Sequence, residues 1–318
     1  MPIISILLPV YNVESYVKES VNSILAQTFI DFELIIVNDG STDSSLSILK
    51  ELAQQDSRIN IISRPNTGIV GALNDGLNMC SGKYIARIDA DDLYPVDRLL
   101  TQVNWLEENP EYGAICGGLT AINENGKFLA DTTRFSESKE ITSLMLQGVA
   151  VTSFCTFMVR SEILNSLGGF RSFFISSEDI DMQFRLVEVC RIWCLKDSAY
   201  FWRIRHGSTT HKQGSKEREF YEECANKFQK QRVNKGADDL MNGVAISLPN
   251  FINDISTHSA HMHVKELLVS TAWNEYFKGN LYSALYSLAR GVISYPFDLF
   301  LWRSLVVLLI KVICKIIK

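Results

Sequence analysis

Several functions are made improbable by what this chain does not have. Its seven cysteines, at 80, 116, 155, 190, 194, 224 and 314, form no C-x-x-C pair and are odd in number. That pattern argues against a disulfide framework or a thiolate zinc site and for reduced core thiols in a cytosolic protein. No G-x-G-x-x-G follows the first apolar run, where Pro9-Val10-Tyr11-Asn12 stands instead, which argues against a dinucleotide-binding dehydrogenase. Positive charge is scarce: 31 Lys and Arg against 36 Asp and Glu leave a net charge of -5. A protein whose main task is to cover nucleic-acid phosphates would carry the opposite balance. The opening Met1-Pro2-Ile3-Ile4-Ser5-Ile6-Leu7-Leu8-Pro9 lacks a basic leader and a cleavage site, and is expected to be the first strand. Long apolar runs are missing as well. The longest near the C-terminus, Leu305 to Ile310, falls far short of the roughly 20 residues that cross a bilayer.

What is present is a globular composition, 47% hydrophobic and 21% charged over 318 residues, enough for one large domain with an appendage or for two domains. Strand-like runs at Ile3 to Leu8, Phe32 to Val37, Arg58 to Ile62 and Lys83 to Ile88 alternate with helical patterns over about 15–26, 43–55 and 69–80. This rhythm predicts consecutive βαβ units, hence an α/β fold with a mostly parallel central sheet covered by helices on both faces. Further strands are expected at Ala114 to Leu119, Ser153 to Val159 and Arg191 to Cys194, and helices near 95–108, 137–146, 161–167 and 179–189. From about Gly214 the pattern becomes helical throughout, which divides the chain into residues 1–214 and a helical C-terminal region, 215–318.

Four polar clusters follow the first four strands: Pro9-Val10-Tyr11-Asn12, Asn38-Asp39-Gly40-Ser41-Thr42-Asp43, Arg64-Pro65-Asn66-Thr67-Gly68 and Asp89-Ala90-Asp91-Asp92. An open α/β sheet binds its ligand at the carboxyl ends of its strands, where these clusters should lie. Asp39 beside Gly40 could accept hydrogen bonds from a nucleobase or a ribose, although a plain turn before a capped helix explains the same residues. Three carboxylates in Asp89-Ala90-Asp91-Asp92 repel one another unless a cation or solvent relieves them, and such hard oxygens suit Mg²⁺ or Mn²⁺ holding a diphosphate. Ser177-Glu178-Asp179-Ile180-Asp181 opens a helix. The acids there can simply favour its dipole, or one of them can serve as a general base in a cleft. Arg203-Ile204-Arg205-His206 offers cations suited to phosphate oxygens.

The last helix, 299–318, is distinctive. At about 100° per residue, Arg303, Ser304, Lys311, Lys315 and Lys318 fall on one stripe and apolar residues fill the rest, with no acidic residue from Arg303 onward. Such a helix suits a membrane interface. The alternative is a core-packing helix with a solvated basic edge.

Taken in order, the clusters over about residues 3–210 resemble the inverting family 2 glycosyltransferases of the GT-A fold, of the bacterial surface-polysaccharide type. The resemblance implies a nucleotide-sugar donor, with UDP as carrier, bound through Pro9, Tyr11, Asn12, Asp39, Gly40, Arg64, Asn66, Gly68, Asn74 and Asp89, with Asp39 at the base. It implies a divalent cation, Mg²⁺ or Mn²⁺, on Asp91 and Asp89, and a catalytic Glu178-Asp179 pair with Asp179 as base. The family often carries Arg-x-His after its last strand. Here Arg205 takes the histidine position and His206 is displaced by one, so diphosphate contact is assigned to Arg205 and His206 stands as a further metal ligand. The implied acceptor is a glycan hydroxyl, and the basic helix favours a lipid-linked one at the cytosolic membrane face. A soluble or protein acceptor is the alternative, as is a non-catalytic scaffold that keeps the fold.

Overall fold

The computed structural model describes residues 1–205, 216–249 and 260–317, and within them each of the first four apolar runs is a strand. β1 (Ile4–Val10), β2 (Phe32–Asp39), β3 (Ile59–Arg64) and β4 (Tyr84–Arg87) alternate with helices α1 (Val17–Leu25), α2 (Ser45–Gln55), α3 (Ile69–Leu77) and α4 (Arg98–Glu108). Then come β5 (Tyr112–Ile122), β6 (Phe128–Asp131), β7 (Lys139–Glu140), α5 (Thr142–Leu146), β8 (Met158–Arg160), α6 (Ser161–Ser166), α7 (Glu178–Val187) and β9 (Arg191–Arg203). The remaining elements are helical: α8 (Lys216–Lys235), α9 (Ala260–Lys278), α10 (Leu281–Ser294) and α11 (Leu299–Ile317).

The strands form one mixed sheet in the order β3-β2-β1-β4-β8-β5-β9-β7, with β6 paired to the end of β5. β3, β2, β1 and β4 run parallel, and β8 enters antiparallel between β4 and β5. Side-chain alternation along β1 accounts for the two covered faces. Ile4, Ile6 and Leu8 pack with Val17, Val21 and Ile24 of α1 and with Leu99 and Val103 of α4. Leu7, pointing the other way, packs with Val70, Leu73 and Leu77 of α3 and with Met182 and Leu186 of α7.

Three stretches differ from the sequence expectation. In the expected strand 153–159, Phe154–Thr156 is a 3₁₀ turn, capped by Ser153 Oγ accepting from the Cys155 amide at 3.3 Å, and the strand is confined to β8. The helix expected over 137–146 starts only at Thr142, because Lys139 and Glu140 pair with Cys194 and Trp193. β9 continues well past Cys194 to Arg203, through a polar Lys196-Asp197-Ser198 that interrupts the apolar pattern but not the strand.

Two compact units emerge, residues 1–119, 133–202 and 215–254 in one, and 120–132, 203–214 and 255–318 in the other. They cut the chain differently from a single boundary at 214. Helix α8 belongs to the first unit because Tyr221, Cys224, Ala225 and Phe228 join Phe174 and Phe184 in a buried aromatic cluster. In the second unit α9, α10 and α11 share a core built on Ala272, Ala284, Leu288, Leu301 and Leu308. Arg290 of α10 there donates to the carbonyls of Phe128 and Leu129 in β6.

Candidate active site

Polar residues that end β1 and β2 are tied to each other. Pro9 and Val10 are buried at the end of β1, Tyr11 is exposed, and Asn12 adopts a left-handed φ of 50°. Asn12 Oδ1 accepts from the Thr42 amide at 2.8 Å, while its own amide donates to Ser41 Oγ at 3.1 Å. Glu14 is tied to the same loop, its amide donating to the Asp43 carboxylate at 3.0 Å and its own carboxylate accepting from the Ser44 amide at 2.7 Å. The sequence clusters therefore hold the loops in shape as well as lining the strand ends.

Asp39 is 3% exposed and caps α3, its two oxygens accepting from the amides of Thr67 at 3.1 Å and Gly68 at 2.9 Å. Arg64 Nε lies 3.3 Å from the same carboxylate, and its guanidinium also reaches Asp75 and Thr67. A carboxylate offers about four acceptor sites, so this capping leaves capacity for a further donor. Gly40 makes the turn possible: its φ is +74°, and a Cβ there would lie 2.7 Å from the Asn66 amide nitrogen. Asn66 is exposed beside it, and Gly68, at φ +88°, starts the helix. Asn74 is directed elsewhere. Its amide both donates to the Phe170 carbonyl and accepts from the Phe170 amide at 2.8 Å, holding the turn at Gly169.

The carboxylates after β4 are relieved by protein groups that sequence reasoning did not name. Arg87 grips Asp89 Oδ1 with Nε at 3.1 Å and Nη2 at 3.0 Å, and places Nη1 3.1 Å from Glu178. Tyr200 donates to Asp92 Oδ2 at 2.8 Å and accepts from the Asp89 amide at 2.9 Å, and Asp92 is buried. Burial, reinforced by Asp92, raises the Tyr200 hydroxyl well above its ordinary range, which keeps it a donor. Repulsion within Asp89-Ala90-Asp91-Asp92 is thus answered for two acids without a cation, and Asp91 stands half-buried between them. Tyr94 completes the frame by donating to the Arg87 carbonyl at 2.8 Å.

Glu178 and Asp179 begin α7 after Ser177, which holds a left-handed φ of 59°, and whose buried Oγ has no hydrogen-bond partner among the described residues. A non-glycine residue in that region carries strain, a feature that concentrates at functional sites. Glu178 is 8% exposed, and burial raises its carboxyl above the ordinary range; Asp179 adds to the rise and Arg87 opposes it. Burial works against the Arg87 charge too, but the carboxylates of Asp89, Glu178 and Asp179 outweigh it and hold the guanidinium well above its usual value. Asp179 is less enclosed than Glu178.

The structure brings Asp89, Glu178 and Asp179 together around Arg87, and Asp39, Gly40, Arg64, Asn66 and Gly68 together at the neighbouring strand ends. Arg205 is half-buried two residues beyond β9, in the second compact unit; His206 lies outside the described residues. Arg87 had a readable signal. It is a charged residue in an otherwise apolar strand, two positions before Asp89, and alternate strand positions share a face. Tyr200, more than 100 residues away in β9, had none.

Residues 5–168 match the family Glycosyl transferase family 2. The chain belongs to glycosyl transferase family 2. Among its relatives is the chondroitin synthase of Pasteurella multocida, 30% identical over 213 residues that make up 66% of this chain and 21% of that one. The chain spans between 21% and 38% of the length of the first curated relatives it matches. Among solved structures, Staphylococcus aureus TarS 1-349 in complex with UDP-GlcNAc is similar with a TM-score of 0.56 at 23% identity, over 64% of this chain and 59% of that one. Mannosyltransferase PcManGT from Pyrobaculum calidifontis, in complex with GDP-Man and Mn²⁺, is similar with a TM-score of 0.55 at 18% identity, over 96% and 79%. Both likenesses are of fold, and they place the family 2 chain's α/β sheet among GT-A glycosyltransferases.

Proposed function

We propose that this family 2 chain transfers a sugar from a nucleotide donor, a UDP-sugar, to an acceptor hydroxyl with inversion at the anomeric carbon. The observation that carries this reading is the sharing of one guanidinium, Arg87, by Asp89 after β4 and by Glu178 of α7, which stands 91 positions from Arg87 in sequence. Donor-side and acceptor-side carboxylates are thereby within reach of one reaction centre. TarS with UDP-GlcNAc supports UDP as carrier, and Asp39, with Arg64 and Asn66 beside it, is the proposed contact for the base and ribose.

The site suits a divalent cation by its donor chemistry. Asp89 and Asp91 supply hard oxygens, the Asp89 side chain is 39% exposed, and its Oδ2 accepts no hydrogen bond among the described residues. No three His, Cys, Asp or Glu side chains among those residues form a cage, but Mg²⁺ and Mn²⁺ commonly use one or two carboxylates plus the substrate's phosphates. When bound, such a cation supplies Lewis-acid neutralisation of the departing diphosphate. Asp91 and Asp89 would hold it, with His206 a further candidate and Arg205 assigned to the diphosphate.

Asp179 is the proposed base. Glu178 is enclosed and engaged by Arg87, whereas Asp179 is more accessible at the same helix start. Asp179 accepts the acceptor hydroxyl's proton as the hydroxyl oxygen bonds to the anomeric carbon and the bond to the nucleoside diphosphate breaks. The acceptor we favour is a lipid-linked glycan met at the cytosolic face of a membrane, a reading supported by the basic terminal helix and by relatives that include a polysaccharide synthase. The test is UDP release from a panel of UDP-sugars with Mn²⁺ and an acceptor extract. Release with at least one donor is expected, and none with any donor would sink the reading.

A further inference from the structure

The last helix carries two apolar faces, and the core of its unit uses one. Leu301, Leu308 and Val312 of α11 are buried with Ala272 of α9 and with Ala284, Leu288 and Val292 of α10. On the opposite side of the same helix Trp302 is 45% exposed, Val306 51%, Ile310 56%, Ile313 53% and Leu299 83%. The spacing of these residues, four, four and three apart after Trp302, keeps them on one face at about 100° per residue. A basic residue accompanies that face. Arg303 is exposed at its edge, whereas Lys311 and Lys315 lie farther round the helix on the side of α9, with their ammonium groups 5.9 Å and 5.0 Å from the rings of Trp273 and Tyr276. No acidic residue occurs between Leu299 and Lys318.

We propose that this second face of α11 is a docking surface for an anionic lipid bilayer, on which the helix lies flat. The inference gives a defined surface to the membrane location read above and rests on that reading. Helices of this kind bury their apolar face roughly 5–10 Å into the headgroup boundary, with basic side chains reaching back to anionic headgroups. Spanning the bilayer is not available to it: no helix among the described residues is long and apolar enough, and the Leu301, Leu308 and Val312 side is already in the core. A second copy of the same helix is a poorer occupant. A two-fold pairing of α11 would bring together two cationic helices, each with Arg303 at the paired face and no carboxylate to offset it.

Deleting 299–318 would remove core residues as well as the surface, so substitutions on the exposed face are the fair test. Full-length protein is mixed with phosphatidylcholine vesicles, with and without phosphatidylglycerol, and the bound fraction is read by co-sedimentation. Binding is expected with the anionic vesicles. Val306→Asp/Ile310→Asp/Ile313→Asp is expected to weaken it by at least about a hundredfold, and Arg303→Gln by roughly fivefold, with thermal melting and UDP release on a soluble acceptor unchanged. Two results would overturn the surface: wild-type protein that ignores anionic vesicles, or an apolar-face variant that binds them as wild type does. If the wild type ignores vesicles but is a dimer in sedimentation velocity that the triple variant breaks, the occupant is a second copy and the proposal fails in that way. Wild-type protein that transfers sugar but does not bind anionic vesicles sinks the surface alone; wild-type protein that binds them without transferring sugar sinks the enzymatic reading alone.

Discussion

Asp179 and Asp181 stand two residues apart in the first turn of α7, and the structure treats them oppositely. Asp181 is fully buried between Arg171, whose Nε lies at 2.9 Å, and Arg185, also at 2.9 Å. From there the network continues through Arg171 to Asp238 at 2.6 Å, and through Arg232 from Asp238 to a two-pronged contact with Glu188 at 2.8 and 2.9 Å. Three arginines meet three carboxylates, so the cluster is balanced and closed. Around Arg87 one guanidinium faces Asp89, Glu178 and Asp179. A buried charge network that balances itself has structural work; one left with surplus negative charge beside exposed oxygens is suited to a cationic ligand. In the function we propose, the helix start is a girder on one side and part of the reaction centre on the other.

That contrast can be broken in graded ways. Asp181→Ala should cost about 3–5 kcal/mol, since it strands Arg171 and Arg185 in the interior, and urea unfolding reads the loss; an unchanged midpoint would mean that the network contributes nothing. Arg87→Lys should be milder in stability but should lower sugar transfer about 10- to 100-fold, because a lysine cannot hold Asp89 and Glu178 at once. Equal transfer by that variant would remove Arg87 from the site. The smallest effect is in pH dependence and has opposite signs in the two clusters. Hydrogen bonds from the Met241 amide, Arg232 and Arg171 depress the Asp238 carboxyl despite the opposing effect of burial. Its contribution is present above the ordinary carboxylate range and is lost as pH falls through the depressed value. The Glu178 carboxyl is raised, so its contribution is full below the ordinary range and fades as pH rises through the raised value. Asp238→Asn should therefore destabilise at neutral pH and less in acid, whereas Glu178→Gln should be at least as stable as wild type at neutral pH. Urea midpoints at two pH values distinguish these outcomes.

Much of the fold was legible because its signals are local. Apolar runs ending in Asn-Asp-Gly or Asp-Ala-Asp announce strand ends whatever the rest of the chain does, and β1 to β4 follow them. Where pairing is long-range the sequence was less informative: β7 consists of Lys139 and Glu140, which have no strand character of their own and are held by β9. The site divides in the same way. Asp39, Asp89 and Glu178-Asp179 were visible as polar residues at element ends, while the partners that set their charge, Arg87 and Tyr200, become evident only when β4, α7 and β9 come together. Asn74, grouped by resemblance with the donor contacts, uses its amide on the Phe170 backbone. No local pattern in α3 distinguishes the two uses. For α11 the sequence posed a choice between a core face and a membrane face, and the helix has room for both.

The central claim is that Asp179, unlike Asp181, is there for chemistry. The direct measurement is kcat for sugar transfer by Asp179→Asn, alongside its affinity for UDP. Loss of a general base predicts a fall in kcat of about 10²- to 10⁴-fold, with UDP affinity and the urea midpoint close to wild type. A near wild-type kcat would contradict the account.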